Sequence, residues 1–196
     1  MLSSSSQCIR FVAAAACLLA LSCTAKPSMG LQTIDEEKFT LAIPEKWKIS
    51  ADANNEQCKL LYDTAGQSRP AVLRLCLTAN SPGPIANEHG FFFDSGSWTY
   101  AGSMDIQPAE LLVTDHDVRL TGVASCGISN ETGFHAAGGE CLTSIVFGQH
   151  YSVVFETDGT QTDFSEINRI ISSTVLTDSG SIASIKAQLE PISAAN

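Results

Sequence analysis

Two apolar runs near the C-terminal end set the pattern of this chain. Residues 141–147 (Cys-Leu-Thr-Ser-Ile-Val-Phe) and 151–155 (Tyr-Ser-Val-Val-Phe) flank the short link Gly148-Gln149-His150. β-Branched and aromatic residues dominate both, and so short a link predicts an antiparallel hairpin. Asp158-Gly159 ends the second strand. Asp163 precedes Glu166 at capping-box spacing. Phe164, Ile167, Ile170, Ile171 and Val175 then recur at helical spacing, which predicts a helix with one apolar stripe. A hairpin with a buried face and a helix with an apolar stripe are natural packing partners.

Upstream, residues 39–43 (Phe-Thr-Leu-Ala-Ile) read as a short strand stopped by Pro44, and Trp47 is placed at one end of the core. Residues 51–57 read as a polar loop. Residues 58–63 and 71–78 read as a hairpin through Ala65-Gly66-Gln67-Ser68, and a centre at Gln67 puts Cys58 opposite Cys76. Asn80-Ser81-Pro82-Gly83-Pro84 breaks the chain. The region beyond it is the least regular, with a short helix over 85–93, a strand over 98–101 and a helical turn over 108–112. Residues 118–126 and 140–147 form a second hairpin around a polar loop at 127–139. A centre near Gly133 sets Cys126 opposite Cys141. Both pairs, Cys58–Cys76 and Cys126–Cys141, are expected as disulfides, each contributing roughly 3 kcal/mol by the chain-entropy estimate. Residues 178–196, rich in Ser and Ala, read as a poorly packed tail, weakly helical over 184–190.

The N-terminus changes the picture. One positive charge, Arg10, precedes the apolar stretch 11–21, and Ser22 and Cys23 follow. This is the layout of a secretory signal over residues 1–22, too short to span a bilayer. Leu19-Ala20-Leu21-Ser22-Cys23 resembles a bacterial lipobox, which implies cleavage before Cys23 and lipid on that cysteine. The alternative is ordinary cleavage, for instance after Ala25, leaving a free soluble protein. Residues 23–37 then form a lipidated cysteine and tether, 38–177 a single domain, and 178–196 the tail. An even number of cysteines beyond Cys23 in an exported chain argues for an oxidising compartment.

Arg10 is the one basic residue of the leader, so 21 acidic side chains stand against 10 basic ones in the rest. Such a surface disfavours nucleic acid and anionic lipid, leaving the lipid anchor as the expected membrane attachment. It favours a basic protein partner.

Residues 39–47, Phe-Thr-Leu-Ala-Ile-Pro-Glu-Lys-Trp, resemble the opening of PsbP/Mog1-like domains. The strand 151–155, Asp163 and Ile167-Asn168-Arg169-Ile170-Ile171-Ser172 resemble their closing strand and helix. The resemblance covers the two ends of the domain. It implies an α+β fold, an antiparallel sheet with a C-terminal helix packed on one face, and a binding module with no catalytic residues to carry over.

Candidate chemistry is sparse. The chain has no G-x-S-x-G, HExxH or Walker pattern. In Asp115-His116-Asp117 neighbouring side chains of an extended segment point to opposite faces, so no metal role is assigned and no cofactor is implied. Phe91, Phe92, Phe93, Trp98 and Tyr100 cluster among Gly and Ser. They either close an edge of the core or serve as exposed anchors for a partner, with Trp98 the first candidate. The expectation is a non-enzymatic lipoprotein of the bacterial envelope, anchored in the outer membrane and facing the periplasm. It binds a protein partner, as an immunity protein or inhibitor of a secreted toxin would. The alternative is a passive envelope accessory or ligand-binding lipoprotein. Metabolic labelling with a fatty-acid probe should mark the wild type and miss Cys23→Ala; an unlabelled wild type would remove the anchor.

Overall fold

In the computed structural model, which describes residues 30–63, 72–79, 81–130, 133–135, 139–159, 163–178 and 180–189, the apolar runs become strands. In chain order they are β1 (Leu31–Asp35), β2 (Phe39–Pro44), β3 (Trp47–Asp52), β4 (Asn55–Asp63) and β5 (Val72–Ala79). Helix α1 (Pro82–Glu88) precedes β6 (Phe91–Asp94), β7 (Ser97–Ala101), β8 (Ile106–Val113), β9 (Val118–Ser125), β10 (Ile128–Asn130) and β11 (Gly133–His135). Then come β12 (Glu140–Phe147), β13 (Tyr151–Thr157), α2 (Ser165–Ser172), β14 (Val175–Leu176) and α3 (Ile182–Leu189). The leader, residues 23–29 of the expected tether and the 65–68 link lie outside the described residues.

The main sheet runs β3-β4-β5-β13-β12-β9-β8-β7-β6, with every pairing antiparallel. This is the α+β arrangement expected, a mostly antiparallel sheet with a few helices. One face carries Leu61, Leu73, Leu75, Leu142, Val146, Val153 and Phe155. The small sheet β1-β2-β14 and helix α2 cover it, through Leu41, Ile43, Ile167, Ile170 and Ile171. The opposite face carries Leu120, Ala124, Ile145, Phe147 and Val154, covered by α1, α3 and the β6–β7 hairpin folding back over it. The Tyr100 ring lies directly over Gly122, where a Cβ would collide with it, and its hydroxyl bonds Thr143 at 2.8 Å. β12 and β13 are therefore buried almost throughout and read as apolar runs rather than as alternation.

Helix α2 is fixed at its start by polar contacts. Asp163 accepts a hydrogen bond from the Ser165 amide at 2.8 Å, and Phe164 holds the N-cap position. Glu166 makes no capping box. Its Oε1 accepts from the Trp47 indole at 2.6 Å and lies 2.8 Å from Lys46 Nζ, which also reaches Asp63 at 2.7 Å. This contact clamps the helix to the buried Trp47 that ends β2–β3. Val175, expected on the helix stripe, lies beyond the helix in β14 and is 63% exposed.

Other expectations are corrected by tertiary pairing. Residues 51–57, expected as a loop, are the end of β3, a turn at 53–54 and the start of β4, with Asp52 Oδ1 accepting from the Asn54 amide at 2.9 Å. Their polarity reflects strand ends whose side chains mostly face solvent. The helix expected at 85–93 starts at Pro82 and stops short of Gly90, whose positive φ of 81° turns the chain into β6. The helical turn expected at 108–112 is the strand β8, held between β7 and β9. Part of the expected tether, 31–35, is paired to β2 as β1. The expected poorly packed tail contains α3, whose Ile185 and Leu189 are buried in the core beside α1.

Both expected disulfides are present. Cys58 faces Cys76 in register, Cα atoms 4.1 Å apart. Cys126 and Cys141 are joined diagonally, since Cys141 pairs with Ala124 and the Cα atoms stand 5.6 Å apart. Two disulfides point to an extracytoplasmic location. No helix among the described residues is long and apolar enough to cross a membrane.

Ile170 is buried between α2 and the sheet, so Ile170→Ala should cost about 2–5 kcal/mol in denaturant unfolding. Asn168→Ala, on the exposed side of the same helix, should stay within about 0.5 kcal/mol.

Candidate functional site

Most of the aromatic cluster expected as partner anchors packs into the core. Phe91, Trp98 and Tyr100 are buried. The cross-strand register of β6 and β7 stacks Phe91 on Tyr100 and Phe93 on Trp98, with ring centroids 4.9 and 5.3 Å apart. Phe93 is half-buried against this core, and Phe92, on the other face of β6, is exposed. Alternation along two short strands sends Phe91, Phe93, Trp98 and Tyr100 inward. The 127–139 loop holds the β10–β11 hairpin; its side chains lie outside the described residues.

The feature that sequence reasoning missed lies on the face that α2 only partly covers. Along β9, Val118, Leu120 and Ala124 point to the β6–β7 side, so Arg119, Thr121 and Val123 point to the α2 side. There, between α2 and the β8–β9 strands, runs a groove in two halves. One, of about 450 Å³, is bordered by Thr114, His116, Val146, Thr174 and Val175. The other, of about 490 Å³, is bordered by Gln107, Glu110, Thr121, Val123 and Asn168. Leu112, Arg119 and Ser172 border both.

Arg119 stands at the junction, only 8% exposed. Its Nη1 donates to Ser172 Oγ at 2.9 Å and its Nη2 to Asp117 Oδ2 at 2.5 Å. Asp117 is shared, because its other oxygen accepts from the Thr114 hydroxyl within the β8–β9 turn. The guanidinium fork is thus half filled. Arg119 Nε is buried without a hydrogen-bond partner among the described residues, and so is Thr174 Oγ1 on the same cavity. Buried polar atoms are almost always satisfied, so these two are exceptions, as is Trp98 Nε1 on the opposite face, and all three are sealed from solvent. The available signal in sequence was slight: Arg119 is the one charged residue of the strand VRLTGVAS.

The Asp115-His116-Asp117 segment forms the turn beside this groove, with the Thr114 hydroxyl accepting from the amides of His116 and Asp117. No group of three or more His, Cys, Asp or Glu among the described residues is placed to hold a metal ion. The arrangement offers hydrogen-bond donors and apolar walls, which bind and orient. All four described cysteines are in disulfides.

A second polar cluster lies on the opposite face. His89 Nδ1 is 3.1 Å from Glu156, which also meets Arg74 at 3.1 Å, and Arg74 reaches Asp52 at 2.9 Å. It ties the end of α1 to β13, β5 and the β3–β4 turn. The hydrogen bond from His89, against the opposing effect of burial and with help from Arg74, holds the Glu156 carboxyl below its ordinary range. Burial pushes the Tyr100 hydroxyl up, with its bond to Thr143 acting the other way.

No protein-family model matches the chain, and no curated protein matches it in sequence. Among solved structures, it is similar to the solution structure of cyanobacterial PsbP (CyanoP) from Synechocystis sp. PCC 6803. The identity is 11% and the TM-score 0.47, over 79% of this chain and 97% of that one. It is also similar to a crystal structure from Bacteroides thetaiotaomicron, at 10% identity and TM-score 0.38, over 73% of this chain and 46% of that one. These likenesses concern the arrangement of strands and helices alone.

A carboxyl lowered by folding stabilises the fold above its unfolded value and stops doing so as pH falls through the folded one. Glu156→Gln should therefore lower stability above about pH 4.5, where the ionised form is fully present. The deficit against wild type should shrink as the solution is acidified below that point. The effect should be on the order of 1 kcal/mol, kept small because the side chain is 32% exposed. Urea unfolding at a series of pH values reads it.

Proposed function

We propose that this chain is a non-catalytic exported lipoprotein, anchored through Cys23, that binds a protein partner in the groove between α2 and β8–β9. The observation that carries this reading is the open groove itself, two halves that no described element fills, with Arg119 bordering both. Exposed apolar side chains on the neighbouring strand β8 and on β14 support it. Leu112 is 41% exposed on the groove side, and Val175 borders the cavity from β14. Two disulfides brace the domain for an oxidising compartment. The acidic balance suits a partner of basic overall charge, since opposite charge speeds encounter, while the groove sets the register of docking. An immunity protein or inhibitor of a secreted toxin has these requirements: export, a tether, a rigid single domain and no chemistry of its own.

A second reading, a ligand-binding accessory lipoprotein, is favoured by the size of the groove halves, each within the range of small-molecule sites.

The test is capture from an envelope extract with the soluble Cys23→Ser form, beside the same form carrying Leu112→Asp. Leu112 is exposed, so the melting temperature should hold. The expected result is a basic partner retained by the first and lost by the second, with sensitivity to attack by sibling cells on deletion of the gene. Equal capture by both forms would remove the groove as the binding surface. Capture without any sensitivity on deletion would remove the immunity role and leave the accessory one.

A further inference from the structure

We infer that the docking surface runs from the groove onto the outer face of β6–β8, and that Glu110 within it selects a partner presenting an arginine or lysine among apolar side chains. This rests on the binding reading above and names what the partner brings.

Cross-strand register sets which side chains share this face. Leu112 lies opposite Arg119 and Glu110 opposite Thr121. Pro108 lies opposite Thr99, Ile106 opposite Ala101, and Phe92 opposite Thr99. Opposed residues project to the same side of a sheet. All of these therefore stand on the side that α2 covers further along, over β12 and β13. Over β6–β8 that cover is missing. Phe92, Ile106 and Leu112 are 47%, 69% and 41% exposed, and Pro108 and Glu110 between them are exposed as well. The core does not need these side chains, because β6 and β7 send Phe91, Trp98 and Tyr100 to the other side. Apolar side chains gathered on one open sheet face, continuous with a groove, mark a surface built for contact.

Charge decides the occupant. Arg119, at the border of this face, is already held by Asp117 and Ser172. The Glu110 carboxylate has no hydrogen bond or ion pair among the described residues. It stands between Pro108 and Leu112 along β8 and borders the polar half of the groove. A purely apolar surface closing over it would bury an unpaired carboxylate, which is costly. A partner that brings a cation to the same spot offsets that cost, and one without a cation is rejected. Arginine and lysine suit the place, since their stems pack on apolar neighbours while the charged head reaches the carboxylate. The whole chain biases the choice the same way. Beyond the leader, 21 acidic residues stand against 10 basic ones. That excess repels a second copy of this chain and an anionic lipid surface, and speeds the approach of a basic protein.

The measurement is a titration of the Cys23→Ser form followed by NMR of the Glu110 and Leu112 amides. The probe is an acetylated, amidated hexapeptide, Val-Leu-Arg-Leu-Val-Thr. Its two controls carry citrulline or glutamate in place of the arginine. The arginine peptide should shift both resonances and bind about threefold more tightly than the citrulline one, with the glutamate peptide weaker still. The preference should shrink as salt is added. Glu110→Gln should abolish the preference, and Glu110→Lys should invert it in favour of the glutamate peptide. Both should keep the melting temperature, because the side chain is exposed. Equal binding of the three peptides, an arginine preference that survives Glu110→Gln, or no shift at Glu110 would each overturn the role of Glu110. The reach of the surface is read by capture: Ile106→Asp should lose the partner as Leu112→Asp does, and retained capture would overturn the extension beyond the groove. If the peptides fail while Leu112→Asp still abolishes partner capture, the groove stands and the cation falls. If capture survives Leu112→Asp, the binding reading itself fails.

Discussion

The structure depends on a sheet that is apolar on both faces. β12 and β13 bury nearly every side chain they have, so neither face can be left to water. Each face recruits its own cover. The β2–α2 layer closes one side, and α1, α3 and the folded-back β6–β7 hairpin close the other. The late helix α3 belongs to this scheme, since without Ile185 and Leu189 the α1 side would expose part of its core. The close approach of Tyr100 over Gly122 is the local condition for that hairpin to fold back.

The two covers are unequal, and the groove follows from the inequality. Helix α2 is a short element held at its start by the Trp47–Glu166 bond and along its length by three isoleucines. It reaches across the middle of the sheet and leaves the β8–β9 end of that face with a wall on one side only. On the uncovered strands the inward positions are Leu112, Arg119 and Thr121 rather than a row of large aliphatics. An arginine suits such a place because its stem packs on apolar neighbours while its head bonds Ser172 at the end of α2 and Asp117 in the β8–β9 turn.

Under the proposed binding role, the acidic excess acts over distances of a Debye length and favours encounter with partners of opposite overall charge, while the groove sets how they dock. Within the groove Arg119 is held by Asp117 and Ser172, so its charge is locally paired.

Much of the frame was legible in the sequence because it rests on local periods. The 141–155 hairpin, the Ile167/Ile170/Ile171 stripe and the Cys58–Cys76 pairing follow from alternation, helical spacing and the position of a turn. The Cys126–Cys141 bond was also legible, although the intervening loop shifted its register to a diagonal pair. What only the tertiary structure decided is coverage. Whether Trp98 and Tyr100 face in or out, whether residues 108–112 coil or pair, and whether the end of the chain packs all depend on which face each segment meets. The groove is the strongest case. Arg119 and Thr174 lie 55 positions apart in the chain, and they border one cavity because α2 ends at Ser172 over Arg119 of β9. No period along the chain encodes where a distant helix ends over a sheet, so the fold announced itself in sequence and the site did not.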